Sequence, residues 1–427
     1  MKLKNTLAIV FVILLGGLSD ACAQKYVGGD ISLLTKYEQG GATYYDNNGK
    51  RITQVLPWFK EQGLNAMRVR LFVDPSKAPA DEIKQGVCQD LDFVKALGKR
   101  IKDQGFALML DFHYSDSWAD PGKQFTPNDW TSLNDAALQT KIYEYTKQAL
   151  AEMVAAGASP DFIQTGNEIS YGMLWGARNS SSLKKYYPGQ SNNRDRFTGL
   201  LKKAGEACRE ICPDAKIIIH TERVAQPNVL TSFYTDMKNA QVDYDIIGLS
   251  FYPFHHGNLN ALETALNTLE RTFSNKDIMI VETGYYHAWQ PSDVSHDLSA
   301  TYPINETGQK QFTDALIAKL NNHPHVTGLF WWFMEANEKG IPYQQAVTPS
   351  GWYNAGLFDN QTGRALSALS SLKDFAPQQT GIESSIPNAS QGKKASSNST
   401  VYGIDGRLKK RTRGINIVDG KKIIEKR

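Results

Sequence analysis

The chain lacks the residue patterns that mark several common protein classes. Its 427 residues include 4 cysteines and 8 histidines. Cys22 falls in an N-terminal leader, and the remaining Cys88, Cys208 and Cys212 are odd in number and too few for a disulfide framework. Cys208 and Cys212 stand one helical turn apart on a segment that reads as helix. No histidine pair completes a zinc site there, so they read as buried thiols. No glycine-rich dinucleotide fingerprint follows any strand-like run. The net charge is +3, and the charged residues are interspersed, with the basic excess mainly at the two ends. Without a broad basic face, nucleic acid is not an expected partner, and a neutral ligand fits better than a strongly charged one.

The apolar run Leu7 to Leu18 is too short for a comfortable membrane span. Lys2 and Lys4 precede it and Ala21-Cys22-Ala23 follows, the pattern of a secretion signal cleaved after Ala23. Lipid attachment at Cys22 is the alternative and the one route to a membrane, although few residues separate Cys22 from the first strand. Either way the protein is expected to leave the cytoplasm, for the cell surface or periplasm of a Gram-negative bacterium. We divide the chain into a signal (1–23), a catalytic body (24–376), a Ser/Gln/Asn-rich linker (377–400) and a short basic tail (401–427). The tail has strand-like pieces separated by Asp405-Gly406 and Asp419-Gly420, and is too short to build a core. It resembles the C-terminal sorting tails of secreted Bacteroidetes proteins.

The body alternates strand-like and helix-like segments. Strands are centred near 31, 69, 109, 163, 219, 247, 280 and 330, each followed by a helical run. Strict alternation predicts a parallel sheet, and eight units predict an α/β closed (β/α)8 (TIM) barrel, with a doubly wound open sheet as the alternative. Nothing in the pattern calls for more than a monomer. Aromatic content is 11%, with many rings in expected loops, which suits sugar faces, although core and rim packing accounts for most of them.

Two strand ends carry acids. In DFIQTGNEISYGMLW (Asp161 to Trp175) the apolar run delivers Asn167 and Glu168 side by side, and strand Ile278 to Val281 runs into Glu282. The fourth and seventh strands lie across a barrel mouth, where paired carboxylates can flank a glycosidic bond. Glu222 and Glu335 also follow strands. Apolar company (Tyr171, Trp175) suits Glu168 to a general acid, and the Asn167 amide can hold a sugar 2-OH. Glu282 must stay ionised to attack, and Arg68 and Tyr252 can supply the cation and the donor. Taken singly, each glutamate could instead close a salt bridge at the rim.

The motifs GGDISLL, NAMRVRLFVDP, LDFHYSDSWADPGKQ, IQTGNEISYGMLW and VETGYY together resemble glycoside hydrolase family 53, the arabinogalactan endo-β-1,4-galactanases, from about Tyr26 to Phe375. The resemblance implies a retaining clan A barrel that cuts internal β-1,4 links of galactan, with Glu168 as acid/base and Glu282 as nucleophile. Asn167 would bind the 2-OH, and Arg68, His113, Tyr252 and one of Trp331 or Trp332 would line the same subsite. Trp118, Trp175 and Trp289 would line the cleft. Asp111 and Asp116 read as braces of the third loop, and His220 either orients a carboxylate or is a satisfied core histidine. No cofactor is required. In the loop after the seventh strand Asp293, His296, Asp297 and Asn305 lack the spacing of the family's structural calcium site, so calcium is left open and not predicted. Two departures stand out: Gly29 where the family has Ala, and Trp331-Trp332-Phe333-Met334-Glu335 where it has Tyr-Trp-Glu-Pro. A mannan- or glucan-cutting relative, or a silent glycan-binding barrel, are the competing readings.

Overall fold

A computed structural model describes residues 24–292, 294–341 and 353–376, together with backbone strands at 401–402, 414–418 and 421–425. The expected signal, Cys22, the linker and both Asp-Gly turns of the tail lie outside the described residues. The chain divides into two compact units, residues 1–378 and 379–427. In the second, Gly414–Val418 pairs antiparallel with Lys421–Glu425 and with Val401–Tyr402.

In the first unit eight parallel strands close a barrel: β1 (Tyr26–Asp30), β2 (Ala66–Leu71), β3 (Ala107–Phe112), β4 (Phe162–Thr165), β5 (Lys216–Thr221), β6 (Ile246–Phe251), β7 (Asp277–Thr283) and β8 (Val326–Trp331). β1 pairs with β2 on one side and β8 on the other. The expected (β/α)8 fold is the observed one. The strands read as continuous apolar runs because side chains alternate between the barrel interior and the helix layer, and both sides exclude water. Ile163, Ile217, Ile219, Ile247, Leu249 and Ile280 face one large core, while Met109, Phe162, Ile218, Ile246 and Met279 form a separate internal cluster.

Helix positions follow the caps. Asp90, Asn134 and Asn258 each accept backbone N–H bonds at the start of Leu91–Asp103, Asp135–Ala155 and Leu259–Thr272, contacts worth about 1 kcal/mol apiece. The first strand sits earlier than the sequence suggests. It ends at Asp30, whose Oδ1 accepts from Ser32 N (3.1 Å) and Ser32 Oγ (2.7 Å) and turns the chain out of the sheet.

The two departures from the family pattern meet in space. A Cβ on Gly29 would stand 2.5 Å from Trp331 O and 2.7 Å from Met334 Cβ. The nearer obstacle is the Trp331 backbone carbonyl, so the packing of β1 against β8 and Met334 leaves no room for a Cβ at 29.

Candidate active site

Each strand ends at the same barrel mouth, and seven of the eight place a polar group under one cleft. Arg68 on β2 is fully buried. Its Nη1 lies 3.0 Å from Asp30 Oδ2 of β1; its Nη2 lies 2.7 Å from Asp111 Oδ2 of β3 and 2.9 Å from Glu282 Oε1 of β7. Nη2 also donates to Asn167 Oδ1 at 2.9 Å. A guanidinium suits this junction because its charge is permanent and its nitrogens fork towards several oxygens at once. Tyr252, just past β6, donates to Glu282 Oε2 at 2.8 Å. Glu282 therefore has the Arg68 cation on Oε1 and the Tyr252 hydroxyl on Oε2, with Ser250 Oγ also 3.5 Å from Oε2.

Glu168 is held differently. It follows Gly166, at φ +102°, and itself sits at φ +48°. At Gly166 a Cβ would lie 2.7 Å from Ile169 Cγ2. The left-handed conformation is uncommon for glutamate and is retained where the surroundings fix it. Here Glu168 N donates to His220 Nδ1 (3.3 Å) and Ile169 N to His220 O (3.0 Å), tying the end of β4 to β5, while Gln124 Nε2 donates to Asn167 O (2.6 Å). No cation is paired with the Glu168 carboxyl among the described residues.

The two environments separate the acids electrostatically. Burial pushes both carboxyls up. For Glu282 the Arg68 charge and the Tyr252 hydroxyl oppose it and stop the rise at about 7. Glu168 is driven well above the ordinary carboxyl value by burial, then by the neighbouring Glu282 and Glu222 charges, with Ser250 alone opposing. On raising the pH Glu282 loses its proton first, and its charge then holds the proton on Glu168.

A cavity of about 190 Å3 is lined by Gln85, His113, Trp118, Asn167, Tyr252 and Trp332, with both glutamates on its wall. A second, of about 380 Å3, lies beyond Glu168 and Tyr252 and is lined by Glu222, Arg223, Gln226, His255 and His256. Of the residues expected at the site, the structure gathers Glu168, Glu282, Asn167, His113, Tyr252, Trp118 and Trp332 around the first cavity, with Arg68 beneath it. Trp332, not Trp331, faces the cleft. Trp331 is fully buried, its Nε1 donating to Ala355 O at 2.7 Å. The expectation for Trp175 needs correcting too: its ring is fully buried and its Nε1 donates to Tyr171 O at 2.8 Å, so the indole packs inward instead of meeting ligand. Trp289 is exposed, with its backbone held by Asn354, but it lines neither cavity.

His113 Nδ1 accepts from Ala119 N at 2.9 Å, which puts its proton on Nε2, 3.0 Å from Asp111 Oδ2. Asp116 accepts from Asn128 N and Nδ2, bracing the loop after β3. Of the residues considered for calcium, Asn305 caps helix Glu306–Leu320, Asp297 accepts from Ser299 N, and Asp293 lies outside the described residues. Among the described residues no cluster of three metal-ligating side chains occurs, and no helix is long and apolar enough to cross a membrane. The sequence reading missed Asp30, Gln164 and Ser250. Each is a polar residue within an apolar, fully buried strand, and such a residue requires a partner; that was the available signal.

The family model of Glycosyl hydrolase family 53 matches residues 26–372. The chain belongs to this family. It is 30% identical to an endo-β-1,4-galactanase of Bacillus subtilis, over 71% of this chain and 68% of that one. With an arabinogalactan endo-β-1,4-galactanase of Thermothelomyces thermophilus it shares 30% identity over 82% and 98% of the two chains. Among solved structures, the family 53 catalytic domain of Ignisphaera aggregans superposes with a TM-score of 0.72 at 32% identity, covering 82% of this chain and 96% of that one. A fungal β-1,4-galactanase superposes at 0.67 with 29% identity over 82% and 99%. This chain is therefore a glycoside hydrolase.

Proposed function

We propose that the protein is an exported endo-β-1,4-galactanase that cleaves with retention of anomeric configuration, Glu282 acting as nucleophile and Glu168 as acid/base. The observation that carries this reading is the pair of carboxyls on one cleft with opposite surroundings, Glu282 buried and anchored to a guanidinium and a phenol, Glu168 half-buried and paired with no cation among the described residues. In the first step Glu282 Oε attacks C1, the bond from C1 to the leaving oxygen breaks, and that oxygen takes the proton of Glu168. In the second, Glu168 removes a proton from water, the water oxygen bonds to C1, and the ester to Glu282 breaks. Arg68 and Tyr252 keep Glu282 ionised for attack, and Asn167 Nδ2, which donates to Ala119 O at 2.8 Å, retains a second hydrogen for the sugar 2-OH.

Retention calls for carboxyls about 5–5.5 Å apart, and support for it comes from the one cavity of about 190 Å3 whose wall carries both acids. Support for the endo mode comes from the two cavities, which leave room for chain on either side of Glu168. The galactan substrate is inferred from the relatives' activity, and export from the leader Lys2 to Ala23.

The test is product sizing after brief incubation with linear β-1,4-galactan, with mannan and cellulose in parallel. A ladder of galacto-oligosaccharides from galactan alone is expected. Galactose released singly from the start would make the enzyme exo-acting, and cutting of another polymer alone would overturn the substrate.

A further inference from the structure

Strand β2 carries two arginines, Arg68 and Arg70. Alternation puts both on its inner face, while Met67, Val69 and Leu71 pack into the large core. The arginines share one carboxylate: Arg68 Nη1 lies 3.0 Å from Asp30 Oδ2, and Arg70 Nη1 lies 3.1 Å from Asp30 Oδ1. Beyond that point they differ. Arg68 forks towards oxygens, whereas Arg70 meets rings. Its guanidinium carbon lies 4.6 Å from the ring centre of Trp118, in the loop after β3, and 4.6 Å from that of Trp332, just past β8, with Phe333 at 5.0 Å. The two indoles stand 6.4 Å apart with their planes inclined at 61°, so the guanidinium lodges in the corner between them. The chain bends to make that corner, Phe333 taking φ +49°, a conformation uncommon for a bulky residue. Arg70 is fully buried, and its Nε and Nη2 have no hydrogen-bond partner among the described residues. Such orphaned donors destabilise a fold. Ring faces take their place, and they suit a flat, weakly hydrated cation.

We propose that Arg70 is a positioning residue for sugar binding, which fixes the two indoles that wall the first cavity and so the seat of the galactosyl ring. The proposal rests on the reading that galactan is cut in this cavity. Trp118 and Trp332 line it beside Asn167 and the two glutamates, while Arg70 does not. In the barrel β3 and β8 are separated by β1 and β2, so no strand pairing sets the distance between the two indoles. A planar cation rooted on β2 and pinned to β1 through Asp30 does set it. Rings already held at one tilt need less ordering when a sugar arrives, which strengthens binding without touching the reacting atoms. A lysine ammonium is a compact point charge and cannot lie against both rings as a flat fork does.

The experiment measures kcat and KM on linear β-1,4-galactan for the full enzyme and for Arg70→Met, Arg70→Lys, Trp332→Ala and the double variant Arg70→Met with Trp332→Ala. Thermal melts establish which variants are folded, and should Arg70→Met fail to fold, Arg70→Lys carries the same test. Arg70→Met should raise KM on the order of tenfold and change kcat by less than about threefold. Arg70→Lys should raise KM likewise. The double variant should show a KM increase of about tenfold, well short of the roughly hundredfold expected if the two changes acted independently. The acid limb of kcat/KM should stay in place, because Glu282 keeps Arg68 and Tyr252. Arg70→Lys with the wild-type KM would overturn the proposal, since charge alone would then suffice. Independent effects in the double variant would overturn it too. So would a fall in kcat with a moved acid limb, because Arg70 would then act on the nucleophile through Asp30 and Arg68. Wild-type turnover on galactan beside an Arg70→Met of unchanged KM counts against Arg70 alone. No wild-type turnover on galactan removes the substrate reading and this inference with it.

Discussion

Arg68 Nη2 lies 2.9 Å from Glu282 Oε1, and the two side chains are 0% and 5% exposed. The same guanidinium holds Asp111 and, together with Arg70, Asp30, so a cation shared with the barrel floor also favours the charged form of the attacking carboxyl. Breaking such a cluster leaves uncompensated buried charge. Arg68→Met should destabilise the fold by about 3–5 kcal/mol, read as a lower urea midpoint. Arg68→Lys should fold but lose the fork, cutting kcat/KM on the order of a hundredfold and moving its acid limb to higher pH. A lysine variant with wild-type kinetics would mean the ion pair is scaffolding only.

The two glutamates should be separable by substrate. Glu168→Ala should nearly abolish activity on galactan, whose leaving group needs a proton, while an aryl glycoside with a good leaving group still forms the glycosyl-enzyme. Glu282→Ala should be inactive on both, with azide partly restoring turnover and giving the inverted glycosyl azide. An azide product of retained configuration from Glu282→Ala would remove its nucleophile role.

A bell-shaped pH profile follows from the same pair. Activity needs Glu282 ionised and Glu168 protonated. Burial lifts Glu282 to about 7 against Arg68 and Tyr252, and lifts Glu168 further. The acid limb of kcat/KM should therefore lie well above the ordinary carboxyl range, and the basic limb higher still, both values belonging to the coupled pair. An acid limb near the ordinary value of about 4.3 would contradict this arrangement.

Much of this site was legible because a barrel imposes a simple rule: whatever ends a strand faces the mouth. Asn167, Glu168, Glu282, His113 and Tyr252 could be located by counting strands. Trp175 could not be separated from Trp118 that way. Both are tryptophans in loops after strands, yet Trp118 lies against Arg70 at 4.6 Å and lines the cavity, while Trp175 is buried. Exposure in a loop depends on long-range packing, which local pattern does not encode. Of the Arg68 junction only the Glu282 partner was read; those from β1, β3 and the end of β4 (Asp30, Asp111 and Asn167) were not. The polar residues inside β4 and β6, Gln164 and Ser250, signalled that partners existed but not which ones.

The indoles can be tested on that distinction. Arg70 stacks on Trp118 and Trp332, each at 4.6 Å, and Trp332 and Trp118 form the apolar side of the first cavity. Trp332→Ala should raise KM for galactan on the order of tenfold with a smaller change in stability. Trp175→Ala should do the reverse, lowering stability by about 3–5 kcal/mol with KM little changed in the folded fraction. Equal effects on KM would put both rings in contact with substrate.

Glu335 supplies a prediction independent of catalysis. It is fully buried beyond β8, its Oε1 accepting from Leu33 N at 2.8 Å. Burial, then the Asp30 charge, push its carboxyl up to about 8 from an ordinary 4.5. The folded protein therefore holds this proton more tightly than the unfolded chain does. The resulting stabilisation is fully present below the unfolded value and is lost as the pH rises through about 8. Glu335→Gln keeps the acceptor for Leu33 and cannot ionise. Its Tm should match the wild type at pH 5 and exceed it at pH 9. Parallel melting curves at both pH values would mean that Glu335 is already ionised in the folded state, with Arg70 and the Leu33 N–H holding the charge.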